Sequence, residues 1–192
     1  PAIVRRGAGH PGRIVATLVR HTHSRQHRED IMTDLLEHTI AIAELLKARG
    51  ETVAVAETSS GGLVSAQLLA VPGASAYFVG GGVLYTGEAR EGLAGITDAD
   101  MAGIRSSSEP FAQLLAQTFR ERLGTTWGVA ETGAAGPSGN RYGDDSGHTC
   151  VAVSGPVSKV TTIETGNDDR SANMWRFSAE ALALFMLCLQ ES

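Results

Sequence analysis

A chain of 192 residues, 42% hydrophobic and 19% charged, is long enough to bury one ordinary globular core without disulfide or metal staples. A net charge of −5 gives no electrostatic case for a nucleic-acid partner. The longest apolar run, AEALALFMLCL near the C-terminus, is too short to span a bilayer, so no membrane partner is expected either. Two cysteines, Cys150 and Cys188, are too few for a disulfide framework and read as buried thiols of a reducing, cytoplasmic compartment.

Charge is unevenly spread. Residues 1–31 carry six arginines, four of the six histidines and only two acids, whereas 32–192 carry ten basic and nineteen acidic residues. Three readings fit 1–31: a basic, disordered leader, an Arg-rich targeting presequence, or a stretch upstream of a start at Met32. The spacing His21-x-His23-x3-His27 could bind metal, but no acid or thiol accompanies it, and no metal is expected. Residues 32–192 then form one α/β domain.

That domain opens with a helix over Thr33–Arg49, with Thr33 as N-cap, Leu35, Leu36, Ile40, Ala43 and Leu46 on its apolar face, and Gly50 after it. A strand over Thr52–Ala56 leads into Glu57-Thr58-Ser59-Ser60-Gly61-Gly62 and a helix over Leu63–Ala70, which Val71-Pro72-Gly73 stops. Helix N-termini carry unpaired N–H groups and a positive dipole end, so this loop is expected to hold an anion, with Ser59, Ser60, Gly61 and Gly62 contacting it. Thr58 and Ser60 could equally be plain N-caps.

Downstream, the strand Ala76–Tyr85 contains Gly80-Gly81-Gly82, the mark of a bulge or of a close backbone approach. A polar turn, Thr86–Arg90, opens another helix, and Ser106–Glu109 caps one bearing Phe111, Leu114, Leu115, Phe119 and Leu123, closed by Gly124. Residues 127–139 repeat the first design: Val-Ala-Glu-Thr occurs at 55–58 and again at 129–132, each before glycines. Two such loops ending neighbouring parallel strands would face one cleft. Asn140–Gly147 reads as a solvated polar turn that includes His148's neighbours Asp144 and Asp145. Thr149–Ser154 and Lys159–Glu164 read as a hairpin, and Arg170–Leu189 as a last helix with Ala181, Leu184, Phe185 and Leu189 inward. Alternating units plus a hairpin predict a three-layer α/β/α sandwich with a mixed, mostly parallel sheet.

Four motifs, Ala56–Leu63, Val71–Ala76, Gly81–Thr86 and Glu131–Pro137, resemble in order the signatures of the CinA C-terminal domain family, over Met32 to the C-terminus. The resemblance implies the three-layer fold, a homo-oligomer, and a nicotinamide mononucleotide (NMN) amidohydrolase that releases nicotinate mononucleotide and ammonia; the sequence itself has no metal ligand set, Gly-x-Gly-x-x-Gly fingerprint or P-loop, so no cofactor is expected. It also implies site residues. Thr58 stands at the family's serine nucleophile and Arg90 at its lysine base, while Tyr85 matches a family tyrosine. Ser59, Ser60, Gly61, Gly62, Glu131, Thr132, Gly133 and Gly136 fall in the ligand-binding motifs. A guanidinium stays protonated at ordinary pH, so Arg90 cannot replace a lysine base. Two expectations stay open: an amidohydrolase with Thr58, Ser59 or Ser60 as nucleophile and Glu57 or Glu131 as base, or a non-catalytic module in which Arg90 clamps a nucleotide or other anion.

Overall fold

A computed structural model describes residues 37–192. The leader over 1–31 and the N-cap Thr33 lie outside the described residues. Helix α1 occupies 37–49 and buries Ala43 and Leu46 as expected, together with Thr39 and Ile42. Ile40, expected inward, is 40% exposed.

Then come β1 (Val53–Glu57), α2 (Leu63–Ala70), β2 (Phe78–Val83), a short α3 (Gly87–Ala89) continuing as a π-turn over Arg90–Ala94, and α4 (Glu109–Leu123). Strands β3 (Trp127–Ala134), β4 (His148–Ser154) and β5 (Lys159–Glu164) precede the final helix α5 (Arg170–Glu191). The sheet order is β2-β1-β3-β4-β5; β1 is parallel to β2 and β3, and β3-β4-β5 run antiparallel. The expected α/β sandwich with a C-terminal hairpin is therefore correct. The parallel part is confined to three strands.

Local chemistry fixes the layers. Ser108 caps α4 through Phe111 N–H, and Gly124 closes it with φ 62°, so Phe111, Ala112, Leu115, Ala116 and Phe119 face the sheet. Gly128 on β3 admits this helix: a Cβ there would lie 2.0 Å from the Ala116 carbonyl oxygen. The β2 glycines serve both faces, since a Cβ at Gly81 would meet Ser65 Oγ at 2.4 Å and one at Gly82 would press on Phe119 at 3.0 Å. The β1–β2 register slips beside Val79, between Val53 and Ala54, and at Gly81 and Gly82 the closest neighbours are the side chains of Ser65 and Phe119. Helix α5 supplies Phe177, Ala181, Leu182, Phe185, Cys188 and Leu189 to the core, with Leu184 half-buried. Trp127 is fully buried, edge-on to Phe185 at 5.6 Å, and its indole N–H reaches Glu51 Oε2 at 2.7 Å.

The chain passes from β1 to β2 on one side and then crosses to β3 on the other. The carboxyl end of β1 is thus a switch point, where open α/β sheets form their ligand crevice. Among the described residues no helix is long and apolar enough to cross a membrane. Cys150 and Cys188 are free, buried thiols; burial pushes both up, Cys188 to about 11.

Candidate functional site

The repeated tetrapeptides pair in register. Val55, Ala56 and Glu57 of β1 lie opposite Val129, Ala130 and Glu131 of β3, and Thr58 N–H donates to the Glu131 carbonyl at 3.1 Å. Strand β1 ends there, but β3 continues to Ala134, so Glu131, Thr132 and Gly133 belong to a strand and not to a loop. Side chains alternate along a strand, so two aligned glutamates project to one face. Both are fully buried.

Each carboxylate has five donor groups within hydrogen-bond distance, one of them the Ser60 hydroxyl, whose single proton the two carboxylates share. Glu57 Oε2 accepts from Ser60 Oγ (2.8 Å), Gly62 N–H (2.9 Å) and Val64 N–H (3.0 Å), and Oε1 from Ser65 N–H (2.9 Å) and Ser65 Oγ (2.7 Å). Glu131 Oε2 accepts from Thr58 N–H (3.2 Å), Ser60 N–H (2.7 Å) and Ser60 Oγ (2.7 Å). Its Oε1 accepts from Ser59 Oγ and from Thr149 Oγ1 (2.9 Å). The α2 N-terminus does hold an anion, as its sequence predicts, but the anion is the chain's own Glu57. This corrects the expected roles of four residues. Ser59 and Ser60 are buried and spend their hydroxyls on Glu131 and Glu57, while Gly61 and Gly62 shape the turn with φ 68° and 98°. Ser60 is not a plain N-cap, and neither carboxylate faces the cleft.

Beside this packed junction lies a cleft of about 340 Å³. Thr58, Thr132 and Gly133 reach it from β1 and β3, Tyr85 and Arg90 from the segment after β2, and Leu84 and Phe111 form its apolar part. So Thr58, Tyr85, Arg90, Thr132 and Gly133 line one cleft. Glu131, Ser59, Ser60, Gly61, Gly62 and Gly136 do not line it. Gly136 sits outside, its carbonyl accepting from Arg170 Nη1 (2.8 Å), while Arg170 Nη2 reaches Tyr85 Oη (3.0 Å).

Three details decide what these groups can do. The Thr58 hydroxyl makes no hydrogen bond among the described residues, in contrast to Ser59, Ser60 and Ser65. Arg90 is tied down: Nε donates to the Ile96 carbonyl at 2.9 Å and Nη2 pairs with Asp98 at 2.5 Å. Thr132 Oγ1 accepts from Ser107 N–H at 3.3 Å, anchoring the opposite wall.

That wall, Ser106, Ser107, Arg141 and Tyr142, was not singled out by sequence. The only signal was the turn-forming stretch Asn140–Gly147, which reads as solvent-facing. Ser107 adopts a left-handed backbone, φ 54°, rare for a residue with a side chain. Its carbonyl accepts from His148 Nε2 (3.0 Å) and Arg105 Nη1 (3.0 Å). His148 is thus a buried residue of β4 and not part of a solvated loop; its Nδ1 meets Glu164 Oε1 at 2.5 Å and Asp144 lies 3.7 Å from Nε2. Burial alone would lower His148, but the hydrogen bonds to Glu164 and to the Ser107 carbonyl, with the charges of Glu164 and Asp144, raise it overall. Burial likewise pushes Asp144 up, and hydrogen bonds from Arg105 and Asn140, helped by His148, more than reverse this. Hydrogen bonding with Ser106 and Arg141 holds the Tyr142 phenol below its usual value. Among the described residues no group of three or more His, Cys, Asp or Glu side chains is placed to hold a metal ion.

Fold and site define an α/β protein with a cleft at the switch point of a mixed sheet. The profile of the CinA C-terminal domain matches residues 33–189, and the chain belongs to that family. It is 40% identical over 145 residues to a CinA-like protein of Anaeromyxobacter dehalogenans, covering 76% of this chain and 36% of the relative. A CinA-like protein of Nostoc is 35% identical over 123 residues, 64% of this chain and 29% of its own length. The chain therefore spans about a third of these relatives. Among solved structures, a CinA superfamily protein of Klebsiella pneumoniae superposes with a TM-score of 0.77 at 24% identity, over 82% of this chain and 99% of that one. A competence/damage inducible protein of Agrobacterium tumefaciens gives 0.73 at 25%, over 81% and 95%.

Proposed function

We propose that the cleft binds an NMN-type nucleotide and that the chain hydrolyses its carboxamide slowly, with Thr58 as nucleophile. The observation that carries this is the Thr58 hydroxyl, which lines the cleft and makes no hydrogen bond among the described residues, whereas those of Ser59 and Ser60 are engaged. Thr58 Oγ1 would bond to the amide carbon, the amide nitrogen would leave as ammonia, and water would cleave the resulting ester to the carboxylate. Slowness follows from two losses. Arg90 cannot accept a proton, and the Thr58, Ser60 and Gly62 amides that could form an oxyanion hole already donate to Glu131 and Glu57.

The same two facts favour the second reading, a binding module of the same fold without turnover. The experiment is ammonia release from NMN alongside calorimetric binding. Release abolished by Thr58→Ala supports hydrolysis; binding without release supports the module.

A further inference from the structure

We propose that Arg141, presented by the Asn140–Asp144 loop, is the residue that recognises the anionic group of the ligand, a phosphomonoester, in place of Arg90. The inference rests on the reading of the cleft as a nucleotide site and names the group that would select for phosphate.

Charge comes first. Residues 32–192 are strongly acidic, yet the cleft is lined by Arg90 and Arg141 and by no carboxylate. A cationic concavity on an acidic domain concentrates anions. Availability then separates the arginines. Arg90 spends its guanidinium on Ile96 and Asp98, and Arg105 behind the wall is held by both oxygens of Asp144, at 2.5 and 2.8 Å. Arg141 uses one donor, Nη2 to Tyr142 Oη at 2.7 Å. A guanidinium has five N–H donors in a planar fork suited to two oxygens of one phosphate, so most of Arg141's capacity is open.

The third element is preorganisation. Asn140 Oδ1 accepts from Tyr142 N–H (2.9 Å) and Asp144 N–H (3.2 Å), and Asn140 Nδ2 donates to Asp144 Oδ2 (2.7 Å). Asp144 in turn is clamped by Arg105. The loop is therefore tied at both ends, and the Arg141 guanidinium lies 4.9 Å from the centre of the Tyr142 ring. A donor held in place before binding loses less freedom on meeting its ligand.

The test is calorimetric titration of wild type, Arg141→Ala, Arg141→Lys and the control Arg176→Ala with three probes: NMN, its phosphate-free nucleoside nicotinamide riboside, and ribose 5-phosphate. Arg176 is an exposed residue paired with Glu180 and does not line the cleft. Loss of a charge-assisted pair predicts that Arg141→Ala weakens both phosphorylated probes by about tenfold or more and leaves the riboside unchanged. Arg141→Lys should fall between, and Arg176→Ala should match wild type. Unchanged NMN binding in Arg141→Ala, or equal losses for nucleotide and nucleoside, overturns the proposal. If wild type binds neither nicotinamide probe, the nicotinamide reading fails by itself. Ribose 5-phosphate then decides: binding that depends on Arg141 sustains the phosphate role, and no binding, or binding indifferent to Arg141, ends it.

Discussion

Ser59→Ala should destabilise the wild-type protein and stabilise a Glu131→Leu variant. In the wild type the Ser59 hydroxyl, 4% exposed, donates to Glu131 Oε1, so deleting it removes a charge-assisted hydrogen bond at a cost of about 1.5–3 kcal/mol. Glu131→Leu removes the acceptor facing five donor groups, one of them the Ser60 hydroxyl shared with Glu57, and the donors fare differently. Thr58 N–H keeps the Glu131 carbonyl, Ser60 Oγ keeps Glu57, and Thr149 Oγ1 keeps the Thr132 carbonyl at 3.3 Å. Ser60 N–H and Ser59 Oγ are left unpaired. In that background Ser59→Ala deletes a buried orphan donor and should return about 1–3 kcal/mol. The coupling across the cycle is then about 2.5–6 kcal/mol, well above the roughly 0.5 kcal/mol within which independent sites add. The stability of Glu131→Leu alone is a poorer readout, because burying leucine offsets part of the loss. Urea denaturation of the four proteins measures the cycle. If Ser59→Ala costs the same in both backgrounds, Glu131 does not organise the junction as described.

Three other predictions follow from the site. Thr58→Ser with Arg90→Lys should raise ammonia release from NMN above wild type, because it restores a nucleophile and a titratable base together; no gain would count against the mechanism implied by the family. His148 has a folded value above the ordinary 6.5, so its contribution is fully present below 6.5 and is lost as pH rises through the raised value. The stability advantage of wild type over His148→Gln should accordingly shrink as pH rises across that window, in denaturation series buffered at each pH, and an advantage that grows would contradict the assignment. Cys150 and Cys188 should resist a thiol-reactive dye in native protein and label on unfolding, since burial raises both; rapid native labelling would refute their placement.

Most of the fold was legible because its signals are local. The caps Ser108 and Gly124, the stop at Val71-Pro72-Gly73 and the alternation in β5 each act over a few residues. The register of the two Val-Ala-Glu-Thr segments was half legible: their likeness predicts neighbouring parallel strands, and β1 and β3 do pair. What the glutamates do there was not legible. A carboxylate in a glycine-rich loop reads as a cleft residue, and only tertiary pairing reveals that Glu57 fills the α2 N-terminus and Glu131 gathers Ser59, Ser60 and Thr149. The Ser107–Tyr142 wall was illegible for a related reason. Asn140–Asp144 has turn composition, and its inward role depends on Arg105, distant in sequence, clamping Asp144.

A structure of the protein with nicotinate mononucleotide bound tests the central claim most directly. The account predicts the carboxylate beside Thr58 Oγ1 and the phosphate on Arg141, with Glu57 still filling the α2 N-terminus. A phosphate seated on the Gly61–Gly62 amides with Glu57 displaced, or a nucleotide bound away from Thr58, would contradict it.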